Sequence, residues 1–104
     1  MLTNTVVAEH TLRHDAEVLG FSTGTPGQRL RTAATPVLDG ELVEVLEAGG
    51  WQPWSATPTL AASGAEDRQY VLDRAVGEVV FGDGRRGAVP VAGAAVRITY
   101  RSGG

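Results

Sequence analysis

Short segments in which apolar and polar residues alternate recur along the chain, and clusters of turn-forming residues separate them. The clearest segment is 94–100, where Ala94, Val96, Ile98 and Tyr100 fall at every second position. Side chains of a β-strand point alternately to its two faces, so this spacing predicts a strand with one buried face and one exposed face. We therefore expect extended rather than helical structure in this part of the chain.

The same reasoning predicts further strands. Residues 41–47 also fit a helical spacing, but the segment is short and lies between glycines, which favours a strand. Residues 28–34 fit a half-exposed strand. Residues 70–72 and 78–81 are apolar strand cores on either side of a turn at 73–77.

The remaining segments predict connections and ends. Residues 51–54 predict a short strand or turn, and 55–69 predict a long connection with a single helical turn near 61–66. Residues 1–20 predict an N-terminal arm or entering strand, and 101–104 have the composition of a linker. An arm of this kind suits strand addition onto a neighbouring protein.

These elements together predict an all-β protein. About seven short, mostly antiparallel strands separated by frequent turns are typical of a small β-sandwich or a partly open barrel. The 14 glycines and 5 prolines agree with many turns, and 104 residues form a single domain, 1–104, at most. The residues that we expect to form the core are Val71, Leu72, Val79, Phe81, Val96, Ile98 and Tyr100.

The loop at 82–87 has the most unusual chemistry in the chain. Its glycines allow positive φ, and its aspartate is expected to hydrogen-bond to its own backbone. An anion-binding or Ca²⁺-binding loop is an alternative, the latter with Asp73 as a second ligand, but Ca²⁺ needs about six or more oxygen ligands. If the loop is functional, Arg85 and Arg86 are expected to contact a protein. The residues expected to shape the turn are Gly82, Asp83, Gly84 and Gly87.

The same region carries a resemblance to a known family. The run SGAEDRQYVLDRAVGEVVFGDG leads into the pattern FGDG-R-x-G-x-x-P-x-x-G, and NTVVAEHTLRHDAEVLG and FSTGTPGQRLRTAATPVLDG precede it in the corresponding order. A short stretch with Trp51 and Trp54 lies between FSTGTPGQRLRTAATPVLDG and SGAEDRQYVLDRAVGEVVFGDG. Over nearly its whole length, the chain resembles the baseplate assembly proteins of contractile phage tails and phage-tail-like injection systems, which are related to baseplate protein J.

This resemblance implies a structural protein that contacts other baseplate proteins in a wedge or ring. The family's members are several times longer, so the chain would be one domain of such a protein or a free-standing copy of it. The implied partners are other baseplate proteins, with a homo-oligomeric ring in the full assembly. The implied location is the assembled particle, a virion or an injection-system baseplate, after synthesis in the cytoplasm.

Composition narrows the function classes further. The chain has no cysteine, which excludes disulfides and cysteine metal sites. All 9 basic residues are arginine, and the net charge of −3 argues against a nucleic-acid partner. No apolar run approaches the ~20 residues that span a bilayer, so no membrane insertion is expected. No leader peptide is expected either, because the first residues form neither the basic region nor the apolar region of a signal sequence.

Two other patterns could carry chemistry. His10 and His14 share one face of either a helix or a strand, but no third metal ligand follows at a sensible spacing. The carboxylates at 41–47 and at 66–67 raise the question of a glycosidase pair, which would need a cleft and a desolvated acid. We expect these carboxylates to form a solvated surface. Since no nucleophile motif is present either, we expect no catalytic residue, no cofactor and no metal.

The tryptophans support an alternative function. Trp51 and Trp54 could form an aromatic platform for a carbohydrate or another surface ligand. They are three residues apart in an extended stretch and therefore point to opposite faces. At least one of them is expected in the core or at an interface, and Trp54 is the candidate that we assign to a protein contact.

Overall fold

The alternating pattern appears in the computed structural model as seven β-strands within residues 11–103, the part of the chain that the structure describes. Six of the seven strands follow the segments expected from the sequence closely, and the long first strand begins within the region expected to be an N-terminal arm or entering strand. The strands are β1 Thr11–Phe21, β2 Arg29–Arg31, β3 Leu42–Glu47, β4 Gly50–Ala56, β5 Gln69–Asp73, β6 Glu78–Phe81 and β7 Ala95–Gly103.

The seven strands form one sheet in the order β1-β7-β3-β4-β5-β6-β2. Every pairing is antiparallel except β4 with β5, which a long connection makes parallel. The two edge strands of the sheet, β1 and β2, approach each other. The carboxylate of Glu17 on β1 accepts a hydrogen bond of 2.8 Å from the amide of Ala33, just after β2. The sheet therefore curls into a nearly closed barrel, and the predicted all-β class is confirmed.

The barrel interior holds the core. Val79, Phe81, Val96, Ile98 and Tyr100 are buried, as predicted. The full set of buried hydrophobic residues is Val37, Val43, Val45, Trp54, Tyr70, Val79, Phe81, Val96, Ile98 and Tyr100.

The prediction for β5 was wrong in detail. Tyr70 is the deeply buried residue of this strand. Leu72 is half-buried and packs against the core, whereas Val71 is half-buried and does not belong to it. Tyr70 pairs with Phe81 and therefore shares its inward face, whereas Val71 pairs with Val80 on the outward face.

The prediction of a linker at 101–104 is also wrong for residues 101–103. Residues 101–103 continue β7, and Ser102 is 4% exposed. This end of β7 has a partner on each side, because Ser102 pairs with Leu12 of β1 and with Val37. Residues 101–103 therefore close a ladder instead of leaving it, and Gly104 lies outside the described residues.

Residues 11–20 of the predicted N-terminal arm are extended and belong to β1. This strand has two β-bulges against β7, between His14 and Glu17 and between Val18 and Gly20. Bulges of this kind strengthen the local twist of a strand, which agrees with the curvature that brings β1 towards β2. The rest of the predicted arm, residues 1–10, lies outside the described part.

The connection between β4 and β5 differs from its prediction. The helical turn expected near 61–66 is absent, and two tight turns take its place. The amide of Ser63 donates to the carbonyl oxygen of Leu60 at 3.0 Å, and that of Asp67 donates to Gly64 at 3.2 Å. The carboxylate of Asp67 also accepts from the amide of Gly64 at 2.7 Å, so side chain and backbone together hold this turn.

Candidate protein-contact site

The outer surface of strands β1, β7, β3 and β4 carries several exposed apolar side chains. Val18 pairs with Arg97 and Phe21 with Ala95, so both project to the side of the sheet opposite the buried residues of β7. Their exposed fractions are 58% and 65%. On β3 and β4 the same face holds further apolar residues. We define the apolar face as Val18, Phe21, Leu42, Leu46 and Trp51.

An ion pair lies within the apolar face. Arg97 Nε donates to Glu44 Oε1 at 2.9 Å, across the β7–β3 pairing. The guanidinium of Arg97 also lies over the ring of Trp51, 3.9 Å from its centroid. Because the pair neutralises its own charges and the arginine is stacked on an indole, it adds little net charge to the face.

A groove of about 720 Å³ adjoins the apolar face. Leu46 belongs to both surfaces, and Ala94 and Val91 also line the groove. Val91 is 71% exposed. The groove therefore adds further apolar surface next to the apolar face.

One wall of the groove is built on Glu47. Its carboxylate receives hydrogen bonds from Arg68 Nη2 at 2.8 Å and from Trp54 Nε1 at 3.0 Å. The hydrogen bond from Arg68 lowers the pKa of Glu47 below its ordinary value of 4.5, and the bond from Trp54 acts in the same direction against partial burial. Glu47 is therefore ionised at neutral pH and ties β3 to the β4–β5 connection.

We expect Glu47→Gln to lower the unfolding temperature at neutral pH and to have no such effect in acid. Since the pKa of Glu47 is lower in the folded state than in the unfolded state, its stabilising contribution is fully present above the ordinary value of 4.5. That contribution is lost as the pH falls through the lower folded value. Thermal unfolding followed by circular dichroism between about pH 3 and pH 7 measures the convergence of the two proteins.

Glu66→Gln is the matched control, because Glu66 lines the same groove and forms no salt bridge within residues 11–103. Its unfolding temperature should follow that of the unmodified protein at each pH. A constant difference between Glu47→Gln and the unmodified protein down to pH values well below 4 would contradict the assigned role of the ion pair.

The loop at 82–87 is ordered by its own backbone. Asp83 Oδ1 accepts the amides of Arg85 and Arg86, each at 2.8 Å. These two hydrogen bonds, that from Arg86 first, hold the pKa of Asp83 below its ordinary value of 3.8. Gly84 and Gly87 have φ values of 88° and 91°, which favour glycine.

The structure leaves Arg85 and Arg86 on the surface and removes Trp54 from it. Both arginines are exposed at the tip of the loop. Trp54 is 5% exposed and packs edge-on against Phe81, with 5.3 Å between the ring centroids. The assignment of Trp54 to a protein contact is therefore wrong, because its indole fills the core and its N–H is already bound.

A platform of two tryptophans is not formed. Trp54 pairs with Val43 and faces inward, whereas Trp51 pairs with Leu46 on the outer surface. The outward ring, that of Trp51, is half-buried and is covered on one face by the guanidinium of Arg97. The carbohydrate alternative therefore loses the paired aromatic surface on which it rested.

The carboxylates of residues 41–47 do not form a solvated row. The Glu41 side chain is 4% exposed, receives a 2.7 Å hydrogen bond from Tyr70 Oη, and lies 2.9 Å from Arg74 Nη1. Burial, and next the bond to Glu41, raises the pKa of Tyr70 well above its ordinary value. Each of these glutamates meets an arginine that distant strands or turns supply, which the sequence could not show.

His14 has a structural environment. Its ring stacks on Tyr100 with 4.5 Å between centroids, and Nε2 lies 2.8 Å from Ser102 Oγ. His10, the other member of the expected pair, lies outside the described residues. Residues 11–103 contain no cluster of three or more histidine, aspartate or glutamate side chains suited to a metal ion.

The apolar face was not predicted from the sequence, although one signal for it was present. Both faces of β3 are apolar, with Val43 and Val45 on one side and Leu42 and Leu46 on the other. A strand that buries one face has no need of leucines on the other, where they are 43% and 42% exposed. This pattern is typical of a strand whose outer face meets a second protein.

Comparison with known proteins identified no relative of this chain. No protein family, no curated protein and no solved structure matches the chain. In residues 11–103 there is also no helix of the length and apolarity needed to cross a bilayer.

Proposed function

We propose that this chain is a structural module of the baseplate of a contractile phage tail or injection system, and that its apolar face contacts a neighbouring baseplate protein. The observation that carries the proposal is the exposure of Val18, Phe21, Leu42 and Leu46 on one side of the sheet. Several exposed apolar side chains on one side of a sheet favour a protein contact, because exposing them to water is unfavourable. The resemblance of the motif at 81–93 to the family's pattern supports the choice of the baseplate.

The ion pair at the centre of the face supports a protein partner in particular. Arg97 is held by both Glu44 and Trp51, so a flat apolar partner could cover the pair without leaving a charge unpaired. Aromatic and arginine side chains at the centre of a patch are also typical of protein interfaces. We propose a scaffolding role in a ring of the assembled particle, without enzymatic activity.

We expect Leu46→Glu and Phe21→Glu each to reduce incorporation into assembled particles about tenfold or more, because each buries an unpaired charge in the contact. Particles purified on a density gradient from producing cells would be assayed for the chain by quantitative mass spectrometry. Val76→Glu is the control, since Val76 is 40% exposed in the β5–β6 turn, away from the face.

A photo-crosslinking amino acid at position 46 adds the identity of the neighbour. The expected product is a covalent link to another protein of the particle, with none from the same amino acid at position 76. Normal incorporation of both glutamate variants, or crosslinks only to proteins outside the particle, would refute the proposed function. Light scattering across a concentration series would then tell whether the isolated chain forms a ring by itself.

A further inference from the structure

Some arginines of this chain pair with carboxylates and others do not. All 9 lie within residues 11–103, and the chain has 12 acidic residues. Arg101 reaches only a carbonyl oxygen, that of Asp39, at 3.5 Å. Arg85 and Arg86 form no salt bridge with any residue of the described part. The arginines paired with carboxylates are Arg13, Arg29, Arg31, Arg68, Arg74 and Arg97.

The loop presents these two free guanidinium groups from a fixed backbone. Besides the two bonds to Asp83, the amide of Gly84 donates to the carbonyl oxygen of Gly87 at 3.0 Å, and the amide of Gly87 donates to that of Gly64 at 3.0 Å. Asp83 Oδ1 already accepts hydrogen bonds from two backbone amides, so this oxygen helps to hold the loop. A ligand that binds here pays little for ordering the loop.

A depression of about 380 Å³ lies beside the loop. Arg86 and Asp83 line it, and the side chains of Leu60 and Ala61 contribute apolar surface to it. The site thus combines positive charge with a small apolar recess.

We infer that this loop binds an acidic segment of a protein partner, with carboxylates on Arg85 and Arg86 and an apolar side chain in the recess beside Arg86. Arginine binds carboxylates through two parallel N–H···O bonds, which gives the contact its geometry. A nucleic acid fits less well, because its regular phosphates need a longer row of cations and the chain carries a net charge of −3. The inference rests on the proposed function only in taking the occupant to be a protein.

The test uses the full chain and a fluorescein-labelled Glu-Glu-Leu-Glu-Glu peptide in a fluorescence anisotropy titration. We expect R85Q/R86Q to weaken binding about tenfold or more, and R13Q/R101Q to change it less than about twofold. The second variant removes the same charge from another neighbouring pair, since Arg13 and Arg101 are cross-strand partners. Replacing leucine by glycine in the peptide should weaken binding about threefold, because the recess is then unfilled.

Each opposite result overturns the inference. Equal losses in the two double variants would mean a diffuse charge effect. Competition by inorganic phosphate, together with equal affinity for the leucine and glycine peptides, would mean a simple anion site. Tighter binding of a single-stranded DNA of the same charge would mean a nucleic-acid surface. Since the titration needs no other baseplate protein, its failure would leave the incorporation result for the apolar face standing, and the reverse also holds.

Discussion

Truncation of Phe81 to alanine is expected to lower the free energy of unfolding by about 3–5 kcal/mol. Phe81 is 1% exposed and lies where β6 brings it against Trp54 and Tyr70 in the barrel interior. The variant loses the transfer free energy of the ring and leaves a cavity that the closed sheet can fill only in part. A small domain has only about 5–15 kcal/mol of stability in total, so this one change removes a large share of it.

Urea unfolding followed by tryptophan fluorescence measures this loss, and Trp54 reports on it directly because its ring contacts that of Phe81. Val80→Ala is the matched control on the adjacent residue of the same strand, where the side chain is only half-buried. We expect a loss of about 1 kcal/mol or less there. A loss below about 1 kcal/mol for Phe81→Ala would mean that the interior is not packed as described.

Replacement of Gly82 by alanine is expected to cost about 3 kcal/mol or more and to displace the loop at 82–87. A Cβ atom at Gly82 would overlap the backbone of Gly87, including its carbonyl oxygen. Since the obstacle is backbone rather than a flexible side chain, the two sides of the loop must separate. We therefore also expect weaker binding of the acidic peptide by this variant.

Gly84→Ala is the control for the loop, since a Cβ there would meet only Val89 Cγ2 at 3.7 Å. Its cost should be limited to the strain of a φ of 88°, about 1–2 kcal/mol. Chemical denaturation of both variants gives the comparison. Equal costs at the two positions would contradict this account. Backbone strain alone, and not the close approach of Gly82 to Gly87, would then determine how much a substitution destabilises the loop.

Local structure was largely predictable because it depends on neighbouring residues. The alternation in 94–100 indicates which residues of β7 are buried, and Val96, Ile98 and Tyr100 are indeed in the core. The turn chemistry of 82–87 likewise depends on a few adjacent groups, chiefly the carboxylate of Asp83 and the amides that it accepts.

The candidate sites were less predictable, because they depend on which distant segments meet. Glu44 and Arg97 are 53 positions apart and become an ion pair only through the register of β3 against β7. The same register places Leu46 outward, so it decides that the apolar face exists at all. Trp54 was assigned to the wrong surface for the same reason, since both faces of β4 carry a tryptophan.

By itself, the sequence determined an all-β chain of short strands, the position of nearly every strand, and a glycine loop with two arginines at its tip. These follow from the two-residue period of a strand and from the backbone freedom of glycine. Only the tertiary structure decided that the sheet closes towards a barrel, that Arg85 and Arg86 lack carboxylate partners within residues 11–103, and that one outer surface is apolar. Each of these depends on contacts between residues far apart in the chain, whose register no local pattern contains.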